Sequence, residues 1–267
     1  MTTHSITYRQ NPPIADLYKA FRDGFSDYIV QFDINEETFE SVFLVRDQNQ
    51  PSRSIVAYVD HRPVGLMLSG IARLETGWVT RCGGLAIAPG YRGLGIAQEF
   101  MRRFDEQAEG TRLLEVIQGN EPALRLYRSL GYHVVREIVY YQAVQRDTTA
   151  TLEPIPIQTL FDDIYPNASH HPIWQQDART TQQQATLLRV TEAGRSGFLL
   201  LRDQVLLDVF GRDEDAVWLL EAAASRHPLH MTLTSDRPAF IQAAETLGFV
   251  KGEIMQYEMV KREEGIT

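Results

Sequence analysis

The stretch Ala88–Ala97, APGYRGLGIA, joins a strand-like segment, WVTRCGGLAI, to a helix-like segment, QEFMRRFDEQAE. It contains two glycines and an arginine but no acidic residue. The first amides of a helix have no partners within the helix and carry partial positive charge, so they bind phosphate readily. Because Gly93 and Gly95 have no Cβ atom, a ligand can approach their backbone closely. The turn therefore predicts a binding site for a pyrophosphate.

Arg92 adds a permanent cation to this turn, and the nearest acidic residue downstream is Glu99, on the helix. Two other phosphate-binding signatures do not fit. The turn lacks the Gly-Lys-Ser/Thr ending of a P-loop, and it lacks the G-x-G-x-x-G spacing of the dinucleotide-binding fold. The glycines alone thus indicate an anion site without identifying the phosphate compound.

The composition is that of a globular protein. The chain has 267 residues, 43% of them hydrophobic, and a formal charge of -9. Since a domain typically contains about 100–200 residues, two domains are expected, with one large domain as the alternative. An acidic chain without a basic block argues against general binding to nucleic acids or anionic membranes. The lone cysteine, Cys82, can form neither an intrachain disulfide nor a cysteine-rich metal site.

Signals for targeting and for metal binding are weak. The first residues contain no apolar run typical of a signal peptide, and no segment approaches the roughly 18 apolar residues of a membrane helix. We therefore expect a soluble, cytoplasmic protein. The pair His170 and His171 has no accompanying metal-ligand spacing, so we expect a solvated loop there and no metal site.

Hydrophobic periodicity predicts alternating helices and strands in the first half of the chain. Helices are expected over residues 15–27, after Asn35 as a cap, over 92–110 and over 121–131. A hairpin is expected over residues 52–75 with its turn at DHRP, followed by strands over 77–87, 112–118 and 133–144. The polar, proline-bearing stretch Asp147–Glu153 is expected to be the boundary between domains 1–146 and 154–267.

The second half repeats this order more faintly. Strands are expected over residues 185–194, 196–203, 204–211, 229–235 and 249–261, with helices over 213–227 and 237–248. Nearly equal distances separate Gly93 from Gly131 and Gly211 from Gly248, and NEPALRLYRSLGY parallels DRPAFIQAAETLGF. We interpret the chain as a duplicated α/β unit.

Two segments of the first half resemble the GCN5-related N-acetyltransferase (GNAT) family. The acetyl-CoA signature of that family, Arg/Gln-x-x-Gly-x-Gly/Ala, appears as Arg92–Ala97 after a strand and Pro89. The second signature appears as LEVIQGNEPALRLYRSLGY over Leu114–Tyr132. The resemblance is densest there and extends weakly over the second half. It implies a layered α/β fold, present twice, with a mixed and mostly antiparallel sheet flanked by helices.

The resemblance also implies that acetyl-CoA is the acyl donor. Backbone groups at the end of the strand would pair with the pantetheine arm, and those of the glycine turn would hold the pyrophosphate beside Arg92. Asn120 would hydrogen-bond the arm. The implied donor-binding residues are Leu85, Ala86, Ile87, Arg92, Gly93, Leu94, Gly95, Ile96, Ala97 and Asn120.

Tyr127 is implied to be the general acid that protonates the departing CoA thiolate. Its alternative role is packing in the core, on the apolar helix face with Leu124 and Leu130. A backbone amide of the strand Leu85–Ile87 would stabilise the tetrahedral intermediate. No covalent acyl-enzyme is implied, so Cys82 is expected to be a packed strand residue.

The attacking amine must lose a proton, and Glu115 is the candidate base. Ribosomal-protein N-terminal acetyltransferases of the family carry Leu-Glu-Val at this place, and Tyr127 follows Glu115 at the matching distance. Glu115 could act directly or through a water. The alternative is an outward-facing strand glutamate without a catalytic role.

The second half lacks the signature. Asp213, Glu214 and Asp215 stand where its helix begins, and three carboxylates would repel a pyrophosphate. In the overlay Tyr127 falls on Ala243 and Asn120 on Asp236. We expect a degenerate, non-catalytic domain that covers the substrate groove, mediates a homodimer or packs on the first domain.

The acceptor is expected to be a primary amine on a small molecule or peptide, bound near the first helices. The segment GFSDYIVQFDI contains Phe25, Tyr28, Phe32 and Asp33, of which Tyr28 and Asp33 are candidate substrate contacts. An exposed loop over core aromatics is an equal alternative. Three other functions stay open: an acyl-CoA sensor without catalysis, transfer of a larger acyl group such as succinyl, and a tandem thiol-substrate enzyme as in mycothiol synthesis.

Overall fold

A single mixed sheet of twelve strands organises the protein. The structure, a computed structural model, describes residues 5–180, 184–226 and 229–262. The strands, in chain order, are β1 (Ile6–Gln10), β2 (Ile55–Val59), β3 (Arg62–Leu74), β4 (Gly77–Ile87), β5 (Thr111–Ile117), β6 (His133–Gln142), β7 (Thr151–Ile155), β8 (Thr186–Glu192), β9 (Arg195–Arg202), β10 (Val205–Phe210), β11 (His230–Thr234) and β12 (Val250–Lys261).

Helices cover both faces of this sheet. They are α1 (Ile14–Gly24), α2 (Glu36–Phe39), α3 (Ile96–Gln107), α4 (Glu121–Ser129), α5 (Tyr165–Asn167), α6 (Ala216–Ala224) and α7 (Pro238–Thr246). Helix α2 continues as a π-helical segment, Glu40–Arg46, and a second π-helical segment, Leu160–Ile164, precedes α5. The expected fold class, a mostly antiparallel sheet flanked by helices, is confirmed.

The order of the strands has an approximate twofold symmetry. Across the sheet the order is β1-β2-β3-β4-β5-β12-β6-β11-β10-β9-β8-β7. When β1 is matched with β7, β2 with β8 and so on to β6 with β12, the order reads the same from either edge. Helices α3 and α6 then correspond, as do α4 and α7. This correspondence supports the duplication inferred from the sequence.

The two halves exchange their last strands. Strand β12 pairs with β5, where Glu258 lies opposite Glu115, and β6 pairs with β11 of the second half. Strands β6 and β12 pair with each other at the centre. The division into residues 1–146 and 154–267 therefore stays a prediction, because the sheet runs through both halves without a break.

Two hydrophobic cores lie on one face of the sheet. The first packs α3 and α4 on Met259 of β12, and the second packs α6 and α7 on Val139 of β6. Tyr257 packs against the first core and Met255, two positions earlier on the same strand, against the second. Since alternate residues of a strand share a face, all four helices lie on the same side. Helix α1 and the two π-helical segments cover the opposite side.

Most of the expected elements are confirmed within a few residues. The DHRP hairpin turn has a positive φ at both Asp60 and His61, as a tight two-residue β-hairpin requires. Asn35 caps α2 by accepting a hydrogen bond from the Thr38 amide at 2.8 Å. Strands β1 and β7, the π-helical segment Leu160–Ile164 and helix α5 were not expected. The proline and weak alternation of β7 are typical of an edge strand, and α5 is too short to show a period. The expected helix end at residue 227 lies outside the described residues.

Candidate active site

Strands β4 and β5 diverge to form a cleft in the first half. They pair in parallel between Val79–Cys82 and Thr111–Leu114, and within the described chain no ladder bond joins them beyond that point. The divergence begins at a bulge, because Gly84 lies opposite Leu68 while Cys82 lies opposite Ser69. A bulge bends its strand and increases the local twist. The edge of residues 84–87 that faces β5 is thereby left without a strand partner.

The bulged residue must be glycine. A Cβ on Gly83 would lie 1.9 Å from the side-chain oxygen of Asn49. Asn49 is buried, and its amide nitrogen donates to the Phe43 carbonyl at 2.8 Å. Asn49 therefore packs against the bulge and leaves no room for a side chain at Gly83. Sequence reasoning missed this contact because the two residues are far apart in the chain.

The glycine turn presents free amides at the start of α3. Gly93 and Gly95 have φ values of 76° and 79°, a region that is strained for residues with a Cβ. A Cβ at either glycine would meet no atom within 4 Å, so the space in front of the turn is open. Among the described residues, no carbonyl accepts from the amides of residues 93–98. The helix dipole adds positive potential at this end.

Arg92 is already paired in the structure. Its guanidinium donates to both carboxylate oxygens of Asp27 at 2.8 and 2.6 Å, and its Nε donates to the Ile87 carbonyl at 3.0 Å. The side-chain hydrogen bond from Arg92 lowers the pKa of Asp27. The turn itself contains no acidic residue, but the segment after α1 brings Asp27 beside it. Arg92 thus ties α1 to the end of β4, and its charge is partly neutralised.

Tyr127 lies at the base of the cleft. Its side chain is 7% exposed within the α3/α4 core, and the ring lies 6.1 Å from that of Tyr132. Burial raises the pKa of Tyr127 well above 10.0, and Cys82 and Tyr28 are the nearby groups that raise it further. No group in the described part of the chain hydrogen-bonds its hydroxyl. Tyr127 therefore keeps its proton and has a free hydroxyl to donate.

Tyr28 and Asn120 lie beside Tyr127. Asn120 caps α4, and its side-chain oxygen accepts from the Ala123 amide at 3.4 Å. Burial raises the pKa of Tyr28, and a hydrogen bond from Asn120 partly offsets this rise. The structure thus brings together three residues expected to contact the donor, the acceptor and the leaving group. Cys82 is a packed residue, as expected: burial raises the pKa of its thiol to about 12.

Glu115 is buried in an ion pair with Arg81. The Arg81 guanidinium donates to both carboxylate oxygens at 2.9 and 3.1 Å, and both side chains are 4% exposed. Leu114 and Val116 point into the α3/α4 core, so Glu115 points to the α1 side of the sheet. Burial raises the pKa of Glu115, Arg81 opposes this rise, and Glu258 adds to it. The strand glutamate faces inward, contrary to the alternative of an outward-facing residue.

A loop of the second half covers this ion pair. We call residues 171–180 the strap. The indole nitrogen of Trp174 donates to the Asp47 carbonyl at 2.9 Å, and the Arg81 guanidinium lies 5.8 Å from the Trp174 ring centre. The Gln175 amide, oriented to satisfy both neighbours, donates to Glu115 and accepts from Arg81. The strap therefore shields Glu115 from direct contact with a ligand.

The loop between α1 and α2 divides into packed and open residues. Phe25 and Phe32 pack on Phe21 at ring distances of 4.9 and 5.2 Å, so they belong to the core. Tyr28 reaches Asn120, as described above. Asp33 is exposed and forms no ion pair within the described chain. Of the two candidate acceptor contacts, the structure brings Tyr28 to the cleft, while nothing it describes joins Asp33 to the cleft residues.

The matching cleft of the second half is filled. Strands β10 and β11 pair at Val205 and Leu206 before they diverge. The Arg237 guanidinium occupies the gap, donating to Asp208 at 3.2 Å and to the Val209 carbonyl at 2.8 Å. His170 Nε2 lies 2.9 Å from Asp208. The remaining cavity of about 10 Å³ has room for roughly one water.

The expectation of a solvated loop at the histidine pair is wrong for His170, whose side chain is 9% exposed against Asp208. Sequence reasoning could not find this partner, since Asp208 stands on a strand far along the chain. Within the described ranges, no three His, Cys, Asp or Glu residues are grouped to hold a metal ion. Over the same residues, every helix is too short or too polar to cross a membrane.

Comparisons with known proteins agree with this geometry. Residues 14–132 match the model of the Acetyltransferase (GNAT) family. N-alpha-acetyltransferase 20 from Dictyostelium discoideum is 25% identical over 130 residues, which cover 47% of this chain and 74% of that protein. An acetyltransferase candidate from Pyrococcus horikoshii superposes with a TM-score of 0.66 at 15% identity, covering 99% of this chain and 91% of that one. A GCN5-related N-acetyltransferase from Sphaerobacter thermophilus superposes with a TM-score of 0.59 at 12% identity, covering 98% and 97%.

Proposed function

Because residues 14–132 form a domain of the acetyltransferase (GNAT) family, the protein is an acyltransferase, and we propose that it transfers the acetyl group of acetyl-CoA to a primary amine. One observation carries this proposal: the cleft between β4 and β5 leads from free helix amides to a protonated tyrosine. The amides suit a pyrophosphate, and Tyr127 suits a departing thiolate.

The donor would lie along the open edge of β4. Residues Leu85–Ile87 have backbone groups free to pair with the amides of a pantetheine arm, as an added strand would. The amides of Gly93–Ala97 would hold the pyrophosphate, and Arg92 would share its charge between Asp27 and the phosphates. Asn120, which follows β5 on the other side of the cleft, would donate a hydrogen bond to the arm.

The reaction would be a direct transfer in a ternary complex. The amine nitrogen forms a bond with the acetyl carbonyl carbon, and the bond from that carbon to sulfur breaks. Tyr127 gives its proton to the thiolate sulfur. An amide of β4 would stabilise the charge on the carbonyl oxygen, an effect worth about 3–4 kcal/mol in other enzymes. Cys82 takes no part, since its pKa of about 12 keeps the thiol protonated.

For Glu115 we propose action through a water molecule. Arg81 occupies both carboxylate oxygens and the strap covers the pair, which supports an indirect role over direct contact. The matched test replaces Glu115 or Glu258 by glutamine, because each is a buried carboxylate paired with one arginine. A large fall in kcat with little change in KM is expected for E115Q alone. If kcat falls equally in both variants, or in neither, Glu115 is not the base.

For the second half we propose a non-catalytic role. Arg237 and His170 fill its cleft, and Asp213–Asp215 place carboxylates just before α6. A pyrophosphate would meet like charges there. We accordingly propose residues 1–146 as the catalytic domain and residues 154–267 as the degenerate one, which completes the first through β12 and the strap.

The acceptor class is tested by measuring CoA release with a panel of amines. The name of the Dictyostelium relative points to α-amino groups, so peptides with free N-termini belong in the panel beside polyamines, aminoglycosides and amino acids. Turnover of any amine by the native chain, lost in Tyr127→Phe, supports the enzyme. Binding of acetyl-CoA without turnover of any amine would favour a sensor.

The acyl group is tested separately, by comparing how much acetyl-CoA and succinyl-CoA each raise the melting temperature of the protein.

A further inference from the structure

The second half contains a pocket that the proposed reaction does not use. It has a volume of about 410 Å³ and lies beside α5, next to the end of β10 and the start of β9. Pockets for small ligands usually measure about 300–1,000 Å³. This pocket is separate from the β4–β5 cleft, because its lining residues all lie between Thr159 and Arg212.

The duplication explains why the pocket exists. In the first half, α1 has eleven residues and covers the sheet beside β3 and β4. At the corresponding place the second half has only the π-helical segment Leu160–Ile164 and α5, which has three residues. The shorter helical cover leaves part of the sheet beside β9 and β10 open. The pocket is therefore a consequence of the fold itself.

Three charged residues line the pocket besides His170, namely Arg189, Asp163 and Arg212, and Arg212 is paired with Glu214 and Asp215. Arg189 and Asp163 are exposed. The Arg189 side chain comes from β8, and the Asp163 carboxylate comes from the π-helical segment. Neither forms an ion pair with any residue that the structure describes. Most other charged side chains near the second-half cleft are paired, as His170 and Arg237 are with Asp208. A guanidinium binds a carboxylate through two parallel hydrogen bonds, and a carboxylate binds an ammonium.

The rest of the lining is partly apolar. Phe198 and Phe210 supply aromatic surface, and Ile164 adds an aliphatic side chain. The His170 ring lies 5.3 Å from that of Phe210 and is held by Asp208 at 2.9 Å, so this wall is fixed. A few charged groups above an apolar wall are typical of a site for a small amphipathic molecule.

We propose that this pocket binds a free α-amino acid with an apolar side chain. Arg189 receives the α-carboxylate, Asp163 receives the α-ammonium, and the side chain of the ligand packs against Phe198 and Phe210. A plain carboxylate would leave Asp163 unpaired, and a plain amine would leave Arg189 unpaired. The zwitterion is the ligand class that satisfies both charges.

Calorimetric titration of the full chain tests this proposal with three probes of similar size. L-Phenylalanine carries both charged groups, 3-phenylpropanoate lacks the ammonium, and phenethylamine lacks the carboxylate. We expect L-phenylalanine to bind at least tenfold more tightly than either of the others, at one molecule per chain. If none of the three binds, or if one singly charged probe binds as tightly as L-phenylalanine, the proposal is wrong.

Variants separate this pocket from the acceptor site, where an amino acid could also bind as an amine. Arg189→Gln and Asp163→Asn should each weaken L-phenylalanine binding at least tenfold. Arg73→Gln serves as the matched control, because Arg73 is an exposed arginine on β3 outside both sites. Acetyl-CoA affinity should stay unchanged in all three variants. Unaltered L-phenylalanine binding in both pocket variants would place the ligand elsewhere and overturn the proposal.

Discussion

Arg136 and Glu258 form a buried, two-pronged ion pair between the last strands of the two halves. Nε of Arg136 lies 2.6 Å from one carboxylate oxygen of Glu258, and Nη2 lies 3.0 Å from the other. Arg136 also donates to the carbonyl of His171 at 2.6 Å. One guanidinium thus joins β6, β12 and the strap at the centre of the sheet.

Breaking this pair should destabilise the whole protein. In Glu258→Gln, Arg136 would keep its charge in a buried place with only the Asp236 carboxylate, 3.4 Å away and 45% exposed, to balance it, which costs up to about 3–5 kcal/mol. Because the sheet is continuous through both halves, we expect one cooperative transition at a lower urea concentration. Urea unfolding followed by circular dichroism measures the change.

The matched control for this variant is Glu253→Gln. Glu253 is an exposed glutamate on the same strand, so its free energy of unfolding should change by less than about 0.5 kcal/mol. Two separate unfolding transitions in the native protein would contradict the view that the exchanged strands make one folding unit.

Replacing Gly95 by alanine should weaken acetyl-CoA binding. Its φ of 79° is costly for alanine, by about 1–2 kcal/mol, so the turn would shift and misplace the helix amides. Gly77→Ala is the matched control, because Gly77 also has a positive φ and open space around it but lies in the β3–β4 turn. Calorimetry should show weaker binding for G95A alone. Equal affinity in both variants would argue against a pyrophosphate seat at this turn.

Tyr127→Phe should lower kcat by about 10²–10⁴-fold, the usual effect of removing a general acid. Affinity for acetyl-CoA should stay the same, since only a hydroxyl is lost. Tyr132→Phe is the control, because Tyr132 lies beside Tyr127 but its hydroxyl is bonded to Asp105 at 3.2 Å. Steady-state kinetics with the best amine of the panel measures the effect. Near-native turnover in Y127F would show that Tyr127 is a packing residue and not the general acid.

Ionisation of Tyr127 should not lower the reaction rate at alkaline pH. Burial raises the pKa of its hydroxyl well above 10.0, so the acid form persists throughout the range in which a primary amine deprotonates. The rate should therefore rise with pH as the neutral amine accumulates, and it should stay level up to about pH 10. A fall in kcat between pH 8 and pH 9 that is absent from Y127F would contradict this assignment.

One acetyl-CoA should bind per chain. The first-half cleft is open, whereas Arg237 crosses the second-half cleft and donates to Val209. Calorimetric titration should give a stoichiometry of one, and G95A should weaken that single event. A second binding event that survives in G95A would show that the second half also takes the donor.

Local signals in the sequence predicted the elements that frame the site. The expected openness of the turn at Gly93 and Gly95 depends only on the missing Cβ atoms of these two residues. The spacing of apolar residues predicted the face of α4 that carries Leu124 and Tyr127, and both residues are buried in the core. These features depend on neighbours in the chain, so a sequence pattern is enough to predict them.

Contacts between distant segments could not be predicted in this way. The sequence shows a turn without acidic residues, yet the segment after α1 places Asp27 against Arg92. It shows Glu115 on a strand, and the fold covers that residue with Arg81 and the strap.

The sequence by itself predicted a duplicated α/β unit, a glycine turn with free amides at the start of a helix, and Tyr127 on the next helix. Only the tertiary structure decided that β6 and β12 change places and that Arg237 closes the second cleft. Strand pairing depends on competition among all the strands for places in one sheet. The partner of a buried charged side chain depends on which distant residue the fold brings next to it. Neither outcome is fixed by the residues next to it in the chain.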